Sequence, residues 1–542
     1  MRSIVAAVAA LLVPSLLAAQ AGRASGITAA EIDGHLRFLS SDLLEGRAPA
    51  TRGGRLTTEY VASQLRAFGL RPGVDTSYFQ TVSIDVVAAD RSTMRVTAAD
   101  KATATLRYPE DVVVWAGSAT PNSAARGELV FVGFGSAAPE YTWNDFKDVD
   151  VRGKVLLVLV NDPPAPASEP NLFGGRAMTY YGRWTYKFEE AERRGAAGVL
   201  IVHTADAAGY PWSVVVSSWA TGQRMLPRPA DQPPPLGVRG WMTDSVAGAL
   251  LRQAGLDWSE LRTRAVGRDF RPVPTGITLD IGFRNSVDHL RSENVVGIVR
   301  GSDPALRDQY VAFSAHWDHF GIGAPVNGDS IYNGADDNAS GTANLLAIAR
   351  AAGGGASPRR SLLFVFVTAE ESGLLGSKFF AEHSTVPPER IIANLNVDRG
   401  NLLGRTRDLR VLGDNKSSLG PSLRTFVRPR GMRLSPDAHP ERGYFYRSDH
   451  FSFAKAGIPA VSIGAGMDFV GRTPDWGLQR DAEWNANRYH QPSDEYRPDF
   501  DLSGAVQLSE VVLGFGRWLA NAPRVPTWNA DAEFRAARTT KE

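Results

Sequence analysis

Leu362-Leu-Phe-Val-Phe-Val-Thr368 runs straight into Ala369-Glu370-Glu371-Ser372-Gly373. Six consecutive apolar residues do not alternate, as a strand with one wet face would. A short unbroken apolar run of this kind, bounded by turn residues, is a strand covered on both faces, the pattern of parallel sheets. Residues 373–383 then read as a helix. The acid pair therefore falls at the carboxyl end of a buried strand, where open α/β sheets build their sites.

Working outward, the same unit repeats. Strands are expected at 294–299, 310–314, 391–397 and 460–464. Helices are expected at 343–352, 421–430, 448–456 and 503–519. This alternation predicts an α/β fold with a mostly parallel, mixed central sheet and helices on both faces. Further upstream, 28–72 reads as two amphipathic helices around a Gly/Pro loop at 44–54, Leu-Glu-Gly-Arg-Ala-Pro-Ala-Thr-Arg-Gly-Gly.

Between these parts the texture changes. Residues 120–272 carry strand-like runs at 128–133, 154–160 and 198–203, one clear helix at 187–194, and long loops rich in Pro, Gly and Trp. The division expected is therefore a discontinuous main domain, 22–119 and 273–522, an inserted β-rich module at 120–272, and a loose tail at 523–542. Residues 1–21 read as a secretory leader: Arg2, an apolar run from Ile4 to Leu17, then Ala19-Gln20-Ala21. Export to the periplasm or the outside is the expectation.

The 542 residues carry 59 basic against 58 acidic side chains, a net charge of +1. That balance gives no electrostatic reason to expect nucleic acid or an anionic membrane as a partner. No later run is long and apolar enough for a membrane span. With no cysteine at all, disulfides, thiolate catalysis and Cys-bound zinc are excluded. Any metal must sit on His, Asp and Glu, the donor set of catalytic zinc.

Five stretches offer such donors. Ala315-His316-Trp317-Asp318-His319 follows a strand, and strand alternation puts His316 and Asp318 on one face, the carboxylate orienting the ring. In Gly334-Ala-Asp-Asp-Asn-Ala-Ser-Gly341 a helix N-cap accounts for one acid but not for two adjacent ones. A carboxylate there can bridge two metals. Glu370 and Glu371 repel each other unless cations compensate; one binds metal while the other takes a proton from water. Asp398 ends the 391–397 strand, and His490 lies in Tyr489-His-Gln-Pro-Ser-Asp494. Together they supply one His and one Asp for one metal, one Glu and one His for another, and an Asp shared by both.

In this order the pieces resemble the co-catalytic zinc exopeptidases of metallopeptidase family twenty-eight. That group contains bacterial leucyl aminopeptidases, glutamate carboxypeptidases and transferrin receptors. The resemblance covers about 28–110 and 275–520, including Ser292-Glu-Asn-Val-Val-Gly297 and Arg447-Ser-Asp-His-Phe451. The 120–272 block is similar to the protease-associated domain that members carry as an insert. The resemblance implies two zinc ions, one on His316 and Asp398, the other on Glu371 and His490, with Asp336 bridging. It implies Glu370 as general base, a cis peptide between Asp336 and Asp337, and a carbonyl-polarising tyrosine, for which Tyr444 and Tyr446 are candidates.

The activity it implies is removal of N-terminal residues from peptides. A carboxypeptidase of the same fold is the nearest alternative and requires cationic residues for the substrate carboxylate. A glutaminyl cyclase and a non-catalytic receptor-like relative are more distant ones.

Overall fold

The computed structural model describes residues 26–229, 232 and 234–539. The leader expected at 1–21 lies outside them. The central sheet is mixed, with a parallel core. Strand Tyr310–His316 pairs in parallel with Ser361–Val367 on one side and with Ile391–Asn396 on the other. Ile391–Asn396 pairs in parallel with Ala460–Ala465. Antiparallel strands flank this block, Asp408–Leu412 at one edge and the second half of Val273–Val299 at the other.

Period-two alternation divides each core strand between two layers. Val311, Phe313 and Ala315, with Leu362, Phe364 and Phe366, face the helices Ala29–Leu39, Gly341–Gly353 and Ser503–Asn521. Tyr310 and Ala312, with Leu363, Val365 and Val367, face Leu375–Glu382 and His450–Lys455. Phe313 and Phe364 stack at 5.1 Å between centroids. Burying each such ring contributes roughly 1.5–3 kcal/mol. Gly516 admits the long helix here, since a Cβ on it would lie 2.2 Å from the Phe313 ring.

Three differences from the expected organisation have physical causes. The second module is α/β rather than β-rich: strands 122–131, 155–159, 198–203 and 238–243 pair in parallel succession. Helices Trp184–Arg193, Asp244–Gln253 and Trp258–Ala265 accompany them. Its sheet also begins earlier and ends later than 120–272. Arg95–Asp100 and Val112–Ala116 belong to it, and the 27-residue strand Val273–Val299 serves both sheets with its two halves. Finally, the tail is packed. Trp528 and Phe534 are buried, and the Trp528 Nε1 donates to the Gly457 carbonyl at 2.8 Å. Among the described residues no helix is long and apolar enough to cross a membrane.

Candidate metal centre and active site

Because Ser361–Val367, Tyr310–His316 and Ile391–Asn396 run in parallel, their carboxyl ends deliver His316, Glu370-Glu371 and Asp398 to one side of the sheet. His490 arrives from the loop after helix Trp476–Asn487. Nε2 of His316 lies 3.6 Å from Asp398 Oδ1, and Nε2 of His490 lies 3.3 Å from Glu371 Oε2.

The acid between the two histidines is Asp337. Its Oδ1 stands 3.3 Å from His316 Nε2 and its Oδ2 stands 3.5 Å from His490 Nε2. Asp336, the residue expected to bridge, faces away. It accepts from Nε and Nη2 of Arg399 at 2.9 and 2.7 Å. The cis peptide is likewise one residue further on, between Asp337 and Asn338. Gly334, at φ +55°, makes the turn possible, because a Cβ there would meet the Asp337 carbonyl at 2.1 Å and the His319 ring at 2.5 Å.

The surrounding contacts fix these groups. Nδ1 of His316 lies 3.2 Å from the Asp318 carbonyl and 3.8 Å from its carboxylate. Asp318 Oδ1 accepts the Glu370 N–H at 3.1 Å, so its carboxylate holds the expected base, while the His316 ring is met by its backbone carbonyl and not, as expected, by its carboxylate. His319 Nδ1 sits 2.6 Å from Glu371 Oε1; burial pushes its pKa down to about 3, so a neutral ring donates to the carboxylate. Ser448 donates to Asp398 at 2.6 Å.

Electrostatics set this cluster apart. Burial first, then the charges of Glu371, Asp449 and Asp398, raises Glu370 well above the usual carboxylate range. Burial and the neighbouring Asp337 push Glu371 up to about 8. At Asp337 burial favours the neutral acid, but His316 and His490 outweigh it and hold the group well below the usual range. Burial opposes an imidazolium at His316, yet Glu370, Asp337 and Asp398 raise it well above its ordinary value.

The donors fit divalent cations. His316, Asp337 and Glu371 offer atoms within 4.8 Å of one another, and so do His316, Glu370 and Asp398. Both oxygens of buried Asp449 and one of Asp318 have no hydrogen-bond partner. So many carboxylates gathered out of water need positive charge, and an all-N/O set of His, Asp and Glu suits zinc.

Neither expected tyrosine reaches this cluster. Tyr446 is buried and donates to Glu533 Oε1 at 2.7 Å. The Tyr444 hydroxyl accepts from Arg442 at 3.1 Å. The tyrosine at the site is Tyr489, whose ring lies 3.7 Å from that of His490. Its position directly before His490 was the available signal. The Phe320 ring stands edge-on to His490 at 4.6 Å. A shallow cleft of about 60 Å³ opens beside Asp398, lined in part by Leu402, Arg410, Met467 and Phe469.

Histidines and carboxylates thus gather at the carboxyl ends of a parallel sheet around one shared acid, as a divalent metal site requires. Residues 294–515 match the model of Peptidase family M28. Aminopeptidase NAALADL1 of Mus musculus is 36% identical over 143 residues, 24% of this chain and 17% of its own. Probable glutamate carboxypeptidase AMP1 of Arabidopsis thaliana is 27% identical over 378 residues, 61% of this chain and 48% of its own. The chain thus spans less than half the length of either. A solved aminopeptidase from Aneurinibacillus sp. strain AM-1 aligns over 92% of this chain and 95% of its own, at 19% identity with a TM-score of 0.48.

Proposed function

We propose that the protein is an exported di-zinc exopeptidase that removes N-terminal residues from peptides. The observation that carries this is Asp337, with one oxygen toward His316 and Asp398 and the other toward His490 and Glu371. Two donor sets sharing one carboxylate suit a pair of ions. Those ions supply Lewis acidity, making a nearby water more acidic and the scissile carbonyl more electrophilic.

The chain's own groups do the rest. Glu370, held by its N–H to Asp318, takes the proton of the attacking water and passes it to the leaving amine. The surplus of carboxylates suits a free α-ammonium. The cleft beside Asp398 is the place for the side chain of the residue removed. The leader at 1–21 supports export, and the module is read as a protease-associated domain flanking the site.

One observation favours a second reading, a carboxypeptidase. Arg183 of the module has a buried Nε without a hydrogen-bond partner. Burial, and then the like charge of Arg447, push its pKa down to about 10. Arg447 adjoins Ser448, which bonds Asp398, and its charge is felt by Tyr489. Two guanidinium groups that feel each other's charge suit a substrate carboxylate.

The test is a panel of aminoacyl chromogenic substrates and N-blocked dipeptides, with and without chelator, alongside zinc per chain. Free-amine substrates alone cleaved, with near two zinc per chain, supports the aminopeptidase. Cleavage of N-blocked dipeptides, abolished by Arg183→Ala, selects the carboxypeptidase. A chain without zinc sinks both.

A further inference from the structure

The loop at 44–54 takes no part in the chemistry above, yet its first arginine is 1% exposed. Nε of Arg47 donates to the Trp317 carbonyl at 2.9 Å, and Nη2 donates to the Gly334 carbonyl at 3.0 Å. Nη1 donates to the carbonyls of Leu39 and Asn333. Trp317 stands between His316 and Asp318. Gly334 opens the turn that presents Asp337. One planar guanidinium therefore ties two donor-bearing segments to the end of the first helix.

All of its hydrogen-bond partners are neutral carbonyls. Burying a charge is costly, and space-filling alone is better served by an apolar side chain. What arginine adds is five donors in a rigid fork. The loop is shaped to deliver it. Glu45, Gly46 and Arg47 all have positive φ, at 51, 68 and 54°. A Cβ on Gly46 would lie 2.4 Å from the Tyr332 carbonyl.

Asp494 acts on the opposite face of the same turn. It is 2% exposed. Its carboxylate accepts the Asp336 N–H at 3.1 Å on each oxygen and the Asp337 N–H at 3.0 Å. The turn is thus gripped at a carbonyl by a buried guanidinium and at two amides by a buried carboxyl group.

We propose that Arg47 and Asp494 are positioning residues of the metal centre, bracing from opposite sides the turn that presents Asp337. Neither touches the donor atoms; each sets the backbone from which the shared carboxylate projects. The inference rests on the di-zinc reading, and it makes the N-terminal loop part of the active site's frame.

The experiment compares the full chain with Arg47→Met, Arg47→Lys and Asp494→Asn. It measures zinc affinity by chelator competition, the circular dichroism and thermal midpoint of the zinc-free proteins, and kcat and KM. Expected are folded variants whose zinc affinity falls 10–100-fold, with kcat falling more than KM. Arg47→Lys should restore only part, because an ammonium cannot span the same carbonyls. Folded variants that keep wild-type zinc affinity overturn the proposal alone. Failure to fold at both positions also overturns it, since the brace would then serve the fold in general. A wild-type chain that binds no zinc overturns the di-zinc reading and takes this one with it.

Discussion

Arg399 and Asp336 form a two-bonded ion pair, Nε and Nη2 both reaching the same carboxylate oxygen at 2.9 and 2.7 Å. The pair takes Asp336 out of the metal site and leaves its neighbour to serve both histidines. Nη1 of Arg399 also reaches Asp481 at 3.2 Å, and its guanidinium lies 3.7 Å over the Trp484 ring. This anchor links the 334–338 turn to helix Trp476–Asn487, and so to the approach of His490.

The two adjacent acids should therefore respond differently. Asp337→Asn should lose at least one zinc per chain and on the order of a thousandfold or more in kcat. Asp336→Asn should keep its zinc and lose about 1–3 kcal/mol of stability through the weakened ion pair. Metal analysis and urea unfolding of both variants check this. Equal zinc loss at the two positions would remove Asp337 from its special role.

Glu370→Gln tests the base. The amide keeps the size of the side chain and its N–H to Asp318, but it cannot take a proton. Zinc content should stay near the wild-type value while kcat falls by about a thousandfold or more. Retained turnover would sink the assignment. Loss of zinc instead would make Glu370 a ligand, as its place beside His316 and Asp398 allows.

Buried parallel strands announce themselves in sequence because both faces are apolar. That is why 310–316, 361–367 and 391–396, and the donors at their ends, were readable. Asp336 and Asp337 were not separable, since a turn has no period that assigns faces to neighbours. Tyr446 was chosen for its nearness to Ser448-Asp449-His450 along the chain, but its hydroxyl points to the tail. Helix Trp476–Asn487 left no signal, because only Gly477 on it is buried. Arg47 was hidden by composition: a Gly/Pro loop with an arginine reads as solvated until its carbonyl partners are seen.

Glu533 makes the tail structural. Its side chain is 5% exposed and 2.9 Å from Lys416 Nζ, and it accepts from the Tyr446 hydroxyl at 2.7 Å and the Tyr180 N–H at 3.0 Å. Tyr180 belongs to the module, so the tail joins the module to two loops of the main domain at one acid. Glu533→Ala should cost about 2–4 kcal/mol by leaving these donors unpaired. Pairing it with Lys416→Met should recover part of the loss. Thermal midpoints of the two single variants and the double variant check the coupling; strict additivity would argue against it.

His35 gives the fold an acid-sensitive step. Its ring Nδ1 lies 2.8 Å from the Tyr60 hydroxyl on the neighbouring helix, and burial holds its pKa below the ordinary 6.5. Above that value neither folded nor unfolded chain protonates it. As pH falls through 6.5 the unfolded chain takes a proton that the folded ring refuses, so stability drops until the folded pKa is reached. His203 shifts in the same direction, again first through burial. His35 therefore subtracts stability between pH 7.5 and pH 5, and over that window the difference in urea midpoint between His35→Gln and the wild type should shift in favour of the variant. Parallel curves for the two proteins would show that His35 titrates alike in both states.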